Sequence, residues 1–248
     1  MELSDNLSIE ISPDVSLALV KIPAGEFIFG SGETAQRLVL GEFYIGKYPL
    51  TNEQYSEFVQ DTSHVPPEHW VGRLTPPYNI RTHPVVGVEW RDALAFAEWL
   101  SDLSGRDFHL PSEAQWEKAA RASDGRLYPW GNDWIEARET VAPSRIYIGD
   151  DTWMQVRTLP VGSASPETDS PYGCADMCRN VWEWCSSAGM AYPYDPTDGR
   201  EDLGHKDGLL RVLRGAASDA KDHPNAATRR LAPPHESRDS DGFRIALG

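Results

Sequence analysis

The chain begins with short apolar runs separated by turn residues, a pattern typical of β-strands. Apolar residues dominate residues 15–22 and 25–30, and a Pro-Ala-Gly turn lies between the two runs. A third run extends over residues 38–48, where apolar side chains alternate. These three runs are predicted to be strands.

Helical periodicity follows, and three helices are predicted over residues 52–61, 90–104 and 113–122. Capping boxes begin the first and third helices: Thr51 pairs with Gln54, and Ser112 pairs with Gln115. Gly105 follows the second helix, at a position where glycine commonly ends one.

The remaining chain is rich in proline and has no long helical pattern. Residues 62–83 are predicted to be a loop that Trp70 pins to the core. Short strands are predicted at residues 153–156, 181–185, 211–213 and 243–247. Residues 1–14 are mostly polar and are predicted to be a loose lead-in to a single domain over residues 15–248.

Composition excludes several classes of protein. The 248 residues are 40% hydrophobic and include nine tryptophans, so a packed core is expected and disorder is excluded. A net charge of −15 argues against nucleic acid as the partner. No apolar run is long enough to span a membrane, and the N-terminus does not resemble a signal peptide, so a cytoplasmic location is expected.

The three cysteines, Cys174, Cys178 and Cys185, are odd in number and lack Cys-x-x-Cys spacing. Neither a disulfide framework nor a structural zinc site is therefore predicted. Small buried side chains in a reducing compartment are the favoured interpretation, and a relocated metal or redox site is the alternative.

Glu183 is the first candidate for chemistry, because Trp182 and Trp184 flank its carboxylate. Two indole rings supply a large apolar area and are expected to reach a core. A carboxylate buried with them needs a cation, a metal ion or backbone amides. Glu183 is therefore predicted to be either a network anchor or a metal ligand.

Eight ordered motifs resemble the formylglycine-generating-enzyme (sulfatase-modifying factor) domain family. They lie at residues 22–27, 43–55, 83–86, 110–121, 128–132, 180–184, 211–215 and 242–244. The resemblance implies an α+β fold of the C-type-lectin-like kind, rich in loops, with a small antiparallel sheet and two to three helices. It does not settle function, because one fold can host many activities.

Catalytic members of that family resemble copper-dependent oxidases that hold the metal with two cysteines five residues apart. The corresponding positions fall near Lys221 and Ala226, and no cysteine follows Cys185. Soft thiolates suit Cu(I), so no copper and no oxidase activity are expected here. Two alternatives stay open: altered enzymatic chemistry that uses His223, His235 or Cys178, and a regulatory module with a partner enzyme.

The resemblance also implies a structural calcium site beside Glu183. By position its ligands would be the side chains of Asp176 and Glu183 and the backbone carbonyls of Arg179 and Val181, a mixture of oxygens that suits Ca²⁺. Arg179 stands where the family usually has glycine, so an ion pair between Arg179 and Glu183 is one alternative to calcium, and simple exposure of Glu183 is the other.

Residues 216–241 form the second candidate site, because framework residues survive there while the residues between them depart from the family pattern. The segment resembles the variable proteins of diversity-generating retroelements, in which a lectin-like scaffold displays a diversified patch. The expected function is a non-catalytic module that binds an unknown protein or small molecule; drift of an ordinary family member is the alternative. The predicted display positions are Ser218, Asp219, Asp222, His223, Asn225, Thr228, Arg230, Leu231, His235, Glu236, Asp239 and Ser240.

Overall fold

The computed structural model describes residues 6–135, 144–149, 152–204, 208–217 and 223–248. The three predicted helices are confirmed, as α1 Asn52–Thr62, α2 Trp90–Ser104 and α3 Glu113–Arg121. Both capping boxes form, since Thr51 Oγ1 accepts from the Gln54 N–H at 3.2 Å and Ser112 Oγ from the Gln115 N–H at 3.1 Å. Gly105 ends α2 with a φ of 66°, in the left-handed region that favours glycine.

Two larger sheets and two hairpins accompany these helices in the described part of the chain. The strands are β1 Asn6–Ser12, β2 Val15–Ile22, β3 Gly25–Phe29, β4 Gln36–Leu40, β5 Phe43–Gly46, β6 Phe108–His109, β7 Ser144–Gly149, β8 Thr152–Val156, β9 Trp182–Ala188, β10 Arg211–Gly215, β11 Arg229–Ala232, β12 Asp241–Phe243 and β13 Ala246–Leu247. One sheet has the order β1-β2-β5-β13-β6 and the other β11-β10-β9-β12, while β3 pairs with β4 and β7 with β8. Only the β9–β12 pair of the described strands is parallel.

The predicted loose lead-in is wrong for its described residues. Asn6–Ser12 forms strand β1 and pairs antiparallel with β2. Its apolar residues alternate along the strand, which places Ile9 and Ile11 in the main core. Polar residues between them face outward, and their number concealed the strand in the sequence.

The single strand predicted over residues 38–48 is divided between two sheets. Strand β4 pairs with β3 in a hairpin, whereas β5 lies between β2 and β13 in the five-stranded sheet. Only Gly41 and Glu42 separate the two apolar runs, and at these residues the chain passes from one sheet to the other. Strand β11 was not predicted, because its Arg-Arg-Leu-Ala sequence has little apolar alternation.

Trp70 pins the long loop as predicted, and its side chain has no exposed surface. Its indole N–H donates to Asn52 Oδ1 at 2.9 Å, while Asn52 Nδ2 donates to the carbonyls of Ile80, His83 and Pro84 at 3.0–3.1 Å. One buried amide thus holds the loop against the start of α1. The described helices include none with the length and apolar character needed to cross a membrane.

Candidate functional site: a polar C-terminal face above buried charges

Glu183 lies on β9 with no exposed surface, and its partner is Arg244, which is equally buried. Arg244 Nε donates to Glu183 Oε2 at 2.5 Å and Nη2 donates to Oε1 at 2.7 Å. The indole N–H of Trp116 donates to Oε2 at 2.8 Å. Glu183 is therefore a network anchor, one of the two roles predicted for it.

The alternative pairing of Glu183 with Arg179 is wrong, because Arg179 points into an aromatic cluster instead. Its Nη2 donates to the Ile135 carbonyl at 2.5 Å, and its guanidinium lies 5.3 Å from the Trp130 ring centroid and 5.0 Å from that of Trp134. Cation–π attraction favours this position.

Calcium at this place stays a prediction, and the arrangement does not favour it. Glu183 is already neutralised by Arg244, and the Arg179 carbonyl accepts from the Val181 N–H at 2.9 Å. Asp176 Oδ2 accepts from the Gly162 N–H at 2.8 Å, and burial raises the pKa of Asp176 to about 6. The oxygens of Glu183, Asp176 and Arg179, three of the four predicted ligands, thus have partners within the protein. In the described chain no group of three or more His, Cys, Asp or Glu side chains could hold a metal ion.

The three cysteines are buried, which confirms the favoured interpretation of them as core side chains. Burial raises the pKa of the Cys174 thiol to about 11 and that of Cys178 to about 12, and raises that of Cys185 well above its usual value. The thiolate is the form that binds metals and attacks electrophiles. These three thiols therefore stay protonated at neutral pH.

A buried charge network along α3 escaped sequence analysis. Glu113 and Glu117 lie one turn apart, and both contact Arg214, a residue of β10 with no exposed surface. Glu117 also accepts from Arg121 at 2.9 Å, and Glu113 accepts from Arg229 at 3.4 Å. The spacing of the two glutamates was visible in the sequence, but on a helix such charges usually face solvent.

Arg214 connects this network to the C-terminal segment. Its Nη2 donates to the Ala226 carbonyl and its Nη1 to the Ala227 carbonyl, both at 2.9 Å. Asn225 and Thr228 close the same turn, because the Asn225 N–H donates to Thr228 Oγ1 at 3.1 Å. These two predicted display residues are therefore engaged in the turn itself.

Another set of display positions comes together beside β12. Arg230 contacts Asp241, lies 3.6 Å from Glu236 and covers the Trp182 ring at 5.6 Å from its centroid. Ser240 Oγ donates to Asp241 Oδ1 at 3.0 Å. Arg230, Glu236 and Ser240, with the exposed His235 and Asp239, form what we call the C-terminal face.

The other display positions lie elsewhere. Leu231 points to the opposite side of β11. There it packs on a second cluster of buried apolar side chains, which includes Trp116 and Val212, and against Gly189. The ring centroid of the exposed His223 lies 4.1 Å from that of Trp134, at the edge of the aromatic cluster that also contains Tyr128 and Trp130. Ser218, Asp219 and Asp222 lie outside the described residues, as does Lys221.

The fold and this site define an α+β domain of the C-type-lectin-like class, with a polar face built over buried ion pairs. The chain belongs to the family of the sulfatase-modifying factor enzyme 1-like domain, whose model matches residues 12–248. The predicted family and fold class are thereby confirmed.

Curated relatives include inactive C-alpha-formylglycine-generating enzyme 2 of Mus musculus. It is 29% identical over 284 residues, covering 92% of this chain and 85% of that protein. Serine/threonine-protein kinase pkn1 of Chlamydia pneumoniae is 30% identical over 255 residues, which cover 92% of this chain but only 37% of the kinase. The chain thus corresponds to one part of some longer relatives.

Among solved structures, PvdO from Pseudomonas aeruginosa superposes with a TM-score of 0.75 at 23% identity, covering 99% of both chains. Treponema denticola variable protein 1 superposes with a TM-score of 0.70 at 20% identity, covering 98% of both chains. At these identities the likeness establishes the shared fold.

Proposed function

We propose that the protein is a non-catalytic binding module that holds a protein or small-molecule ligand on its C-terminal face. The observation that carries this proposal is the absence of cysteine after Cys185, in a chain that otherwise retains the family framework. The Lys221 and Ala226 positions offer no thiolate pair for copper. Cys178, the thiol considered for altered chemistry, is buried and protonated.

The composition of the C-terminal face suits recognition. Arg230 and Trp182 present a guanidinium on an indole, and arginine and tryptophan are enriched among residues that dominate binding energy. Glu236, Asp239, Ser240 and His235 add exposed or half-buried polar groups around them. Such a rim supplies hydrogen bonds and charge to a partner.

The framework beneath the face supports variation above it. Arg214 holds the backbone of the segment through the carbonyls of Ala226 and Ala227, contacts that do not involve the side chains of the C-terminal face as defined above. We infer that the face is diversified in the manner of retroelement variable proteins, and the fold shared with Treponema denticola variable protein 1 supports this inference.

Two experiments test the proposal. Oxygen uptake and mass spectrometry of a cysteine-containing peptide, incubated with the protein and copper, are expected to detect no formylglycine; turnover would contradict the non-catalytic assignment. Sequencing of sibling genes from one culture is expected to show substitutions confined to codons 216–241, at sites that are adenine in a nearby template repeat. Uniform sequences there would contradict diversification and leave an ordinary binding module.

A further inference from the structure

A cavity of about 640 Å³ opens between the start of α3, strand β9 and residues 194–203. Its volume is in the range of small-molecule sites. Apolar side chains form much of its wall: Leu40, Phe43, Leu110, Pro196 and Leu203. The cavity shares no residue with the C-terminal face, so what it binds does not depend on the function proposed above.

Glu201 supplies the cavity with a carboxylate whose donors, among the described residues, are all uncharged. Ser187 Oγ and Tyr194 OH each donate to Glu201 Oε1 at 2.6 Å, and Ser186 Oγ donates to Oε2 at 2.9 Å. Within the described residues Glu201 forms no ion pair. A carboxylate has about four acceptor sites, so these three hydroxyls leave capacity for a further donor.

Burial lowers the pKa of Arg211 and the nearby charge of Glu201 opposes that shift, but the contacts of the Arg211 guanidinium lie elsewhere. Its Nη1 donates to the Ser186 carbonyl at 3.0 Å, and its guanidinium lies 3.9 Å from the centroid of the Trp90 ring. The negative charge of Glu201 is therefore held in place by hydroxyls, and among the described side chains no cation contacts it.

The mouth of the cavity adds two acidic side chains to that of Glu201. Glu42 and Asp107 are exposed at the rim, where Glu42 is paired with Lys21 at 3.0 Å. Leu203 is 46% exposed and adds an apolar edge. A ligand that matches these surfaces carries a positive charge at one end and an apolar body at the other.

We propose that this cavity binds a small organic cation, a primary ammonium on an apolar body, with Glu201 as its counter-ion. The ammonium donates to the free acceptor site of the carboxylate, and the body packs on Leu40 and Leu203. Charge-assisted hydrogen bonds of this kind are stronger than neutral ones, and the apolar walls exclude water from them.

Phenethylammonium is a suitable probe, and its uncharged counterpart 2-phenylethanol is the matched control ligand. Isothermal titration of the full chain is expected to show saturable binding of the cation and binding at least tenfold weaker of the alcohol. Glu201→Gln keeps an acceptor for the hydroxyls but removes the charge, and is expected to weaken phenethylammonium at least tenfold. Glu98→Gln, at an exposed position on α2, is expected to bind it like the parent protein.

A second variant keeps the proposal testable if Glu201→Gln does not fold. Leu203→Arg places a guanidinium at the cavity mouth from a surface position, and is expected to compete with the probe and abolish binding without loss of the folded state. Amide NMR shifts on titration should centre on Ser186 and Tyr194. Failure of the cation to saturate, equal binding of the alcohol, or unchanged binding by Glu201→Gln or Leu203→Arg would overturn the proposal.

Discussion

Arg244 and Glu183 form a two-point ion pair in which neither side chain has exposed surface. Arg244 also donates to the carbonyls of Gly46 and Ala175, at 2.9 and 3.0 Å. The pair thus connects β9 to the end of β5 and to the segment before β9. Desolvation of two charges is costly, and these additional hydrogen bonds offset part of that cost.

Glu183→Gln is expected to destabilise the fold by about 3–5 kcal/mol, because it leaves Arg244 as an uncompensated buried charge. Urea denaturation measures the change. Glu53→Gln is the matched control, since Glu53 pairs with Arg81 at the surface and should lose less than about 1 kcal/mol. Similar losses in the two variants would contradict the anchoring role of Glu183.

Arg214→Lys is expected to loosen the turn at Ala226 although it preserves the charge. Lysine cannot reproduce the forked contacts of Arg214 with two carboxylates and two carbonyls. Hydrogen exchange at the Ala226 and Thr228 amides should accelerate about tenfold or more, a loss of roughly 1.4 kcal/mol in local stability. Arg37→Lys, in an exposed pair with Glu26, should leave the exchange of both amides unchanged. Unchanged exchange in Arg214→Lys would contradict the role given to its contacts.

The native thiols are expected to resist Ellman's reagent at pH 8. Burial raises the pKa of the Cys178 thiol to about 12, so the reactive thiolate is scarce at pH 8, and the side chain is inaccessible as well. All three cysteines should react in urea, and Asp102→Cys, at an exposed position, should react rapidly in the folded protein. Fast native labelling of Cys178 would revive the redox alternative.

His69 is expected to contribute to acid sensitivity. Burial lowers its pKa to about 4, against a weaker opposing effect of Asp239, while an unfolded histidine titrates near 6.5. The unfolded state therefore binds more protons between these values, and stability falls as pH falls from 6.5 towards 4.

The comparison of pH 7 with pH 5 isolates this contribution. Between pH 7 and pH 5 the free energy of unfolding of His69→Gln should fall by about 1–2 kcal/mol less than that of the parent protein. His235→Gln, at an exposed position, controls for the removal of an imidazole. Equal pH dependence in the parent and His69→Gln would show that His69 does not account for the loss.

Calcium is expected not to shift the melting temperature, because Arg244 already neutralises Glu183. Thermal unfolding in millimolar calcium and in EDTA should coincide. A melting temperature that rises with calcium in the parent protein but not in Asp176→Asn would support the predicted calcium site, since a ligand that binds only the folded state stabilises it.

Local features were predicted well because their causes are local. The helices begin at side chains that cap their own amides, as Thr51 and Ser112 do, and α2 ends where Gly105 adopts a left-handed conformation. Strand boundaries were less accurate, since the division of residues 38–48 between two sheets depends on partners far along the chain.

The candidate site was predicted only in part for a similar reason. Alternation along β11 places Arg230 and Leu231 on opposite sides, so a contiguous stretch of display positions cannot form one surface. Strand β11 itself was absent from the prediction, so this alternation was invisible. The turn that engages Asn225 and Thr228 was equally hidden.

The sequence by itself determined the family, the helices, the loss of the copper-binding cysteines and the need of Glu183 for a partner. Only the tertiary structure decided that this partner is Arg244, 61 residues away, and that Arg179 lies among tryptophans. The physical reason is that the tryptophans beside Glu183 indicate burial, and a buried charge needs a partner; both facts can be inferred from the local sequence. Which charge satisfies that requirement depends on how distant strands are brought together.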